Sequence, residues 1–189
     1  ISEFMTRVPS LKHVVLWGLC DAASAICFYA HTDARVRSVV LLNPWVHTES
    51  GQARAQMKHY YHHRLMQREF WHKVILGRWN LKNSVWSFVR IMYRSLKRYA
   101  SNDQADMPLP ELMGQGLLRF SGKVLIILSG RDLTADEFRD VSKSSSIWQS
   151  IMKSSWVTCK ELPEANHTFS SQEWRDQVAA WTREWVMKY

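Results

Sequence analysis

The stretch Val14-Val15-Leu16-Trp17-Gly18-Leu19-Cys20-Asp21-Ala22-Ala23-Ser24-Ala25 decides the fold. An apolar run long enough for a buried strand closes at Gly18, helix formers take over from Ala22, and a nucleophile-capable side chain stands alone at the corner. The reading is strand, sharp turn, helix. A turn that tight holds its corner residue in a strained backbone conformation, so the residues two positions to either side must be small. Gly18 and Ala22 meet that requirement. Cys20 also has a plainer reading, since free cysteine is most often a small buried filler.

Outward from this corner, Ala22 to His31 reads as a helix ending near Asp33. Arg37 to Leu42 is a short apolar run rich in β-branched residues and closed by Asn43-Pro44, which predicts a second buried strand. Strand, helix, strand implies a right-handed parallel crossover. A third strand is expected from Lys123 to Leu128, ending in Ser129-Gly130-Arg131-Asp132. A fourth runs from Trp156 to Leu162, where Thr158, Lys160 and Glu161 mix with apolar residues as suits a sheet edge. The last helix spans about Ser171 to Lys188, with Trp174, Val178, Trp181 and Trp185 at helical spacing. Between the second and third strands there is no strand signal. Ala53 to Ile75 and Leu81 to Ala100 read instead as two amphipathic helices, after which Met107-Pro108-Leu109-Pro110 breaks helix and leads to a short segment ending near Phe120.

A chain of 189 residues with 46% apolar content and ten tryptophans can bury one real core and is too short for two domains. No apolar run reaches the roughly 18 residues of a membrane span, and no basic-then-apolar leader opens the sequence; a soluble, cytoplasmic protein is expected. Ile1-Ser2-Glu3-Phe4 precede a methionine and read as a cloning scar, leaving 5–189 as the domain. The three cysteines, Cys20, Cys27 and Cys159, form an odd set without framework spacing, which points to a reducing compartment. Cys20 and Cys27 are about 10 Å apart along one expected helix, too far for a disulfide. Net charge is +8, and between Gln52 and Ala100 eleven Lys and Arg face Glu69 alone, so this segment carries the whole basic excess.

Activating a nucleophile takes a base within hydrogen-bond reach, and the base needs a partner that fixes its tautomer. Parallel strands deliver such groups at their carboxyl ends. Asp132 follows the third strand, and His167 follows the fourth in Pro163-Glu164-Ala165-Asn166-His167-Thr168-Phe169. Nucleophile, acid and histidine in that order, on loops at one sheet edge, is the α/β-hydrolase chain order. Gly18-x-Cys20-x-Ala22 resembles that fold's nucleophile elbow, with cysteine for serine and alanine for the second glycine.

Gly18-Leu19-Cys20-Asp21-Ala22-Ala23-Ser24, Leu42-Asn43-Pro44-Trp45, Ser129-Gly130-Arg131-Asp132-Leu133-Thr134 and Asn166-His167 resemble the small hydrolases that accompany bacterial exosortase systems. These form a branch of the α/β-hydrolase superfamily near the thioesterases. The resemblance covers Val14 to Tyr189 and implies a short parallel sheet with flanking helices, the C-terminal half of an α/β-hydrolase, with a helical lid inserted at about 47–120. It implies Cys20 as nucleophile, Asp132 as orienting acid, His167 as general base and the Asp21 backbone N–H as an oxyanion donor. Asp136, one helical turn beyond Asp132, is the alternative acid. The substrate would be a small-molecule acyl ester or thioester, hydrolysed through an acyl-cysteine without a cofactor. A helix N-terminus and a nearby histidine would favour the thiolate, making Cys20 the most reactive of the three thiols.

The basic lid helices read either as solvated faces or as a surface that draws an anionic substrate or an acidic membrane; no nucleic-acid motif accompanies them. His59-x-x-His62-His63 lacks a carboxylate or cysteine beside it, so no metal is expected. Relative to the superfamily, the strands before the elbow strand and the turn that supplies a second oxyanion N–H are missing, and losing one such donor costs about 10²–10³ in rate. Two rivals to the enzyme therefore stay open: a catalytically weak or silent truncated fragment that folds as an oligomer, and an anion- or lipid-binding module. The elbow strand would also lack a neighbour on its outer side, an apolar edge that invites a homodimer.

Overall fold

The structure, a computed structural model, describes residues 1–46 and 107–188. The two amphipathic helices expected at Ala53 to Ile75 and Leu81 to Ala100, with their basic residues and His59, His62 and His63, lie outside the described residues. In chain order the described elements are α1 (Ser2–Arg7), β1 (Val14–Leu19), α2 (Asp21–Tyr29), a 3₁₀ turn (Ala30–Thr32), β2 (Val36–Leu42), α3 (Leu109–Arg119), β3 (Lys123–Arg131), α4 (Leu133–Ser144), α5 (Ser146–Met152), β4 (Val157–Asn166) and α6 (Gln172–Val186).

The four strands form one parallel sheet in the order β1-β2-β3-β4. Both faces of β2 and β3 are covered, which is why these strands read as unbroken apolar runs. Alternation sorts their side chains between two cores. Val39, Leu41, Val124, Ile126 and Leu128 pack with Ala23 and Cys27 of α2, Met113 and Leu117 of α3, Phe138 of α4 and Trp148 of α5. Val40, Leu42, Leu125 and Ile127 turn the other way, onto Phe169 and onto Val178 and Trp185 of α6. Trp148 is fully buried yet keeps its polar atom satisfied: Nε1–H donates to the Pro110 carbonyl at 2.7 Å, and the ring meets Phe138 edge-on at 4.9 Å.

The corner at Cys20 forms as the small residues require. A Cβ at Gly18 would lie 2.8 Å from the Ala22 carbonyl carbon and 2.9 Å from the Ala23 nitrogen, inside any allowed contact, so only glycine lets β1 run this close beneath the first turn of α2. Cys20 itself precedes the helix rather than lying on it. Of residues 1–4, Ser2 to Phe4 lie in α1 and Ile1, which precedes it, packs against the larger core. β3 runs three residues past Leu128, because a bulge between Ser129 and Arg131 carries the strand on. There Gly130 passes so close to the Pro163 carbonyl that no side chain would fit. Among the described residues β1 pairs only with β2, and Val15 and Trp17 stand 39% and 51% exposed. No second strand lies beside β1 among the described residues.

Candidate active site

All four strands point their carboxyl ends at the same edge, and each ends in a residue of the site. Cys20 follows β1, Asn43 follows β2, Asp132 follows β3 and His167 follows β4. Among the described residues, three non-glycine residues have positive φ: Cys20 at 59°, Asn43 at 41° and Phe169 at 51°. All three lie at this edge. Sparsely populated backbone of this kind costs about 1–3 kcal/mol per residue and clusters at functional sites.

Cys20, at φ 59° and ψ −120°, is held by its backbone on both sides. Its N–H donates to the Leu42 carbonyl at 2.9 Å, and its own carbonyl accepts from Ser24 N at 3.2 Å and Trp45 N at 3.3 Å. The Ser24 hydroxyl, 2.6 Å from the Trp45 carbonyl, fastens α2 to the chain leaving β2. Asp132 extends its backbone at φ −151° and caps α4: its carboxylate accepts from Thr134 N and Ala135 N, both at 3.2 Å. The same carboxylate, 8% exposed as a residue, takes the Nδ1 of His167 at 2.9 Å. The loop carrying His167 is clasped by Asn166, whose amide bonds Ser170 through both its nitrogen, at 2.7 Å, and its oxygen, at 3.1 Å.

Asp136 is engaged elsewhere. Its carboxylate pairs with Arg139 at 2.9 Å, and that guanidinium also donates to the Ser129 carbonyl at 2.8 Å and to Glu161 at 3.2 Å. The imidazole is thus brought to Asp132 and not to the alternative acid.

The thiol does not carry the bias toward thiolate that the helix N-terminus suggested. Burial pushes the Cys20 thiol above its ordinary value, the Asp21 and Asp132 carboxylates push it further, and only the Asp21 backbone N–H at the sulfur pulls it down. These surroundings favour the neutral thiol. Its two companions are held more firmly in that form: burial pushes Cys27 up to about 12, while desolvation and the Glu161 carboxylate push Cys159 up to about 11 although it sits on an exposed strand.

Beside the site an apolar cavity of about 630 Å³ opens between β1 and α6. Leu19, Leu42 and Thr168, the sequence neighbours of Cys20, Asn43 and His167, line it together with Val178, Arg175 and Arg183. Among the described residues no cluster of His, Cys, Asp and Glu could hold a metal, and no helix is long and apolar enough to cross a membrane.

The sequence did not single out Asn43 or Ser129. Both lie in motifs that carry the resemblance, without a role assigned to either; the Asn43 amide is fully buried and donates to both the Ser129 hydroxyl and the His167 carbonyl at 2.9 Å.

No protein-family model matches the chain, and no curated protein matches it. Solved structures do. The chain superposes on an esterase of Pyrococcus furiosus with a TM-score of 0.55 at 12% identity, covering 100% of this chain and 59% of that one. It superposes on the esterase domain of a Rhodothermus marinus protein with a TM-score of 0.51 at 10% identity, covering 99% and 65%. It therefore spans less than two thirds of the length of either. At such identities the likeness is one of fold, and the fold is that of the α/β-hydrolases, a parallel sheet with helices on both faces.

Proposed function

We propose that the protein hydrolyses carboxylic esters or thioesters through Cys20, His167 and Asp132. The observation that carries this reading is the 2.9 Å contact between His167 Nδ1 and Asp132, at the same sheet edge as a cysteine on a strained strand-to-helix corner. A carboxylate can only accept, so Nδ1 carries the proton and Nε2 is left as the base. His167 Nε2 removes the thiol proton as sulfur attacks the acyl carbon, since burial favours the neutral thiol. The carbonyl oxygen gathers negative charge beside the Asp21 N–H. Collapse expels the alcohol or thiol, which takes the proton from His167, and leaves acyl-Cys20. Water then attacks the acyl carbon, His167 takes its proton, and the acid departs as the sulfur recovers a proton. The apolar cavity beside Cys20 suits the acyl chain, and a thioester suits a sulfur nucleophile.

The finer placement with exosortase-associated hydrolases rests on the motif residues alone. The same reading takes a second copy as the partner across the open β1 edge, so wild type should be a dimer by light scattering and Val15→Lys a monomer. The rival, a catalytically silent fold, draws support from the raised Cys20 thiol, which withholds the ready thiolate of most cysteine nucleophiles.

Release of p-nitrophenol from p-nitrophenyl esters, and of free thiol from acyl-CoA, tests the proposal. Turnover by wild type that vanishes in Cys20→Ala supports it; equal rates in the two proteins contradict it.

A further inference from the structure

β2 supplies no member of the triad, yet its end bonds Cys20 and His167 directly and reaches Asp132 through Ser129. We propose that Asn43 is the positioning residue of the site, fixing the His167 ring against Asp132 by holding the base at its backbone and the acid through Ser129. This rests on the Cys20, His167 and Asp132 reading given above.

The hydrogen bonds close a ring. Asn43 Nδ2 donates to the Ser129 hydroxyl and to the His167 carbonyl, each at 2.9 Å. Ser129 Oγ lies 3.4 Å from Asp132 Oδ2, and that oxygen meets His167 Nδ1 at 2.9 Å. His167 is therefore gripped twice, at its carbonyl and at its ring. Asn43 Oδ1 accepts the Ser129 N–H at 2.9 Å, and the Asn43 N–H donates to the Ile127 carbonyl at 3.1 Å. Both donors and the acceptor of the amide are thus in use, and Asn43 and Ser129 are each 0% exposed. Asn43 and Ser129 are shut off from water, so nothing in solvent can replace the bonds they make.

Residue chemistry at this position is narrow. The backbone sits at φ 41°, which glycine, asparagine and aspartate tolerate best. Glycine has no side chain to donate, aspartate has no donor, and a serine hydroxyl donates once and cannot serve two acceptors. Asparagine alone combines the backbone with two N–H groups. One residue earlier, the Leu42 carbonyl accepts the Cys20 N–H at 2.9 Å. The end of β2 thereby anchors nucleophile, acid and base to one short piece of chain.

The test is Asn43→Gly, which keeps the backbone conformation and removes the amide; Asn43→Ser, a smaller change, carries the test if the glycine variant does not fold. Nitrogen-15 NMR of the His167 ring should show one tautomer, protonated at Nδ1, in wild type and a mixture in the variant. Hydrolysis of p-nitrophenyl acetate should lose at least about tenfold in kcat with KM unchanged, because the base is misaligned while substrate binding is not. A purely structural role would lower the melting temperature and leave tautomer and kcat alone. A folded variant with the wild-type tautomer and kcat overturns the proposal. Absence of turnover in wild type would instead strike at the hydrolase reading, and the tautomer comparison would still judge Asn43.

Discussion

The interior of the sheet and its carboxyl edge are built by opposite rules. Inside, β2 and β3 alternate apolar side chains between two cores, with Ser38 the buried polar residue on β2 before Asn43. At the edge, three non-glycine residues take positive φ, and a carboxylate, an imidazole, an amide and a hydroxyl are drawn together within hydrogen-bond distance. The difference shows what the interior is for. Strained corners cost stability, and only a sheet buried on both faces has enough to hold them. Substitutions at the edge should therefore remove chemistry and leave folding largely intact, while substitutions inside should do the reverse.

The largest effect is expected at the base. His167→Ala should reduce kcat/KM for p-nitrophenyl esters by about 10⁴ or more, because without it neither the thiol nor the water is activated. Its urea midpoint should move little. Asp132→Ala comes next and tests both sides of the comparison at once, since this carboxylate also caps α4 through Thr134 N and Ala135 N. It should lower kcat by about 10³–10⁴ through loss of the fixed tautomer and stability by about 1 kcal/mol through loss of the cap. Asp136→Ala should leave most of the activity, because its carboxylate pairs with Arg139. A dead Asp136 variant beside an active Asp132 variant would reverse the assignment of the acid.

The interior is probed by Trp148→Ala, which should cost about 3–5 kcal/mol in urea unfolding. The fraction that remains folded should hydrolyse esters at the wild-type rate; a lower rate per folded molecule would mean that interior and edge are coupled more tightly than this. The smallest effect concerns Cys27, whose buried thiol is pushed up to about 12 from an ordinary 9.0. Since the folded value lies above the unfolded one, the stabilisation is complete below pH 9.0 and drains away as pH rises toward about 12. Cys27→Ala should flatten the stability profile above pH 9.0 and leave its neutral limb sloped as before.

The two regions also differ in how well they can be read from sequence. The apolar runs of β2 and β3, closed by Asn43-Pro44 and Ser129-Gly130, announce strands buried on both faces, and the mixed pattern of β4 announces an edge. The corner at Cys20 is visible because Gly18 and Ala22 must be small. Asp132 and His167 are found by chain order. The role of Asn43 and Ser129 is not legible, although both stand in motifs of the resemblance, because their bond joins residues 86 positions apart and the bond to His167 spans 124, distances over which no local pattern speaks. α4 and α5 were not anticipated. α4 is rich in charge and α5 is short, and the cap that starts α4 is Asp132, which drew attention only as an acid. The surroundings of the thiol are hidden for a related reason: a helix start suggests positive potential, while burial and the Asp21 and Asp132 carboxylates push the Cys20 thiol up, and their placement is a matter of three-dimensional structure.

The central claim is that an acyl group passes through Cys20, and the most direct measurement is to trap it. Wild-type protein mixed with p-nitrophenyl acetate, quenched in acid within the first turnover and digested should yield the Cys20 peptide carrying one acetyl group by mass spectrometry. Cys27 and Cys159 should remain unmodified, and Cys20→Ala should release no p-nitrophenol above the buffer rate. Acetylation of another residue in place of Cys20, or undiminished hydrolysis by Cys20→Ala, would contradict the account.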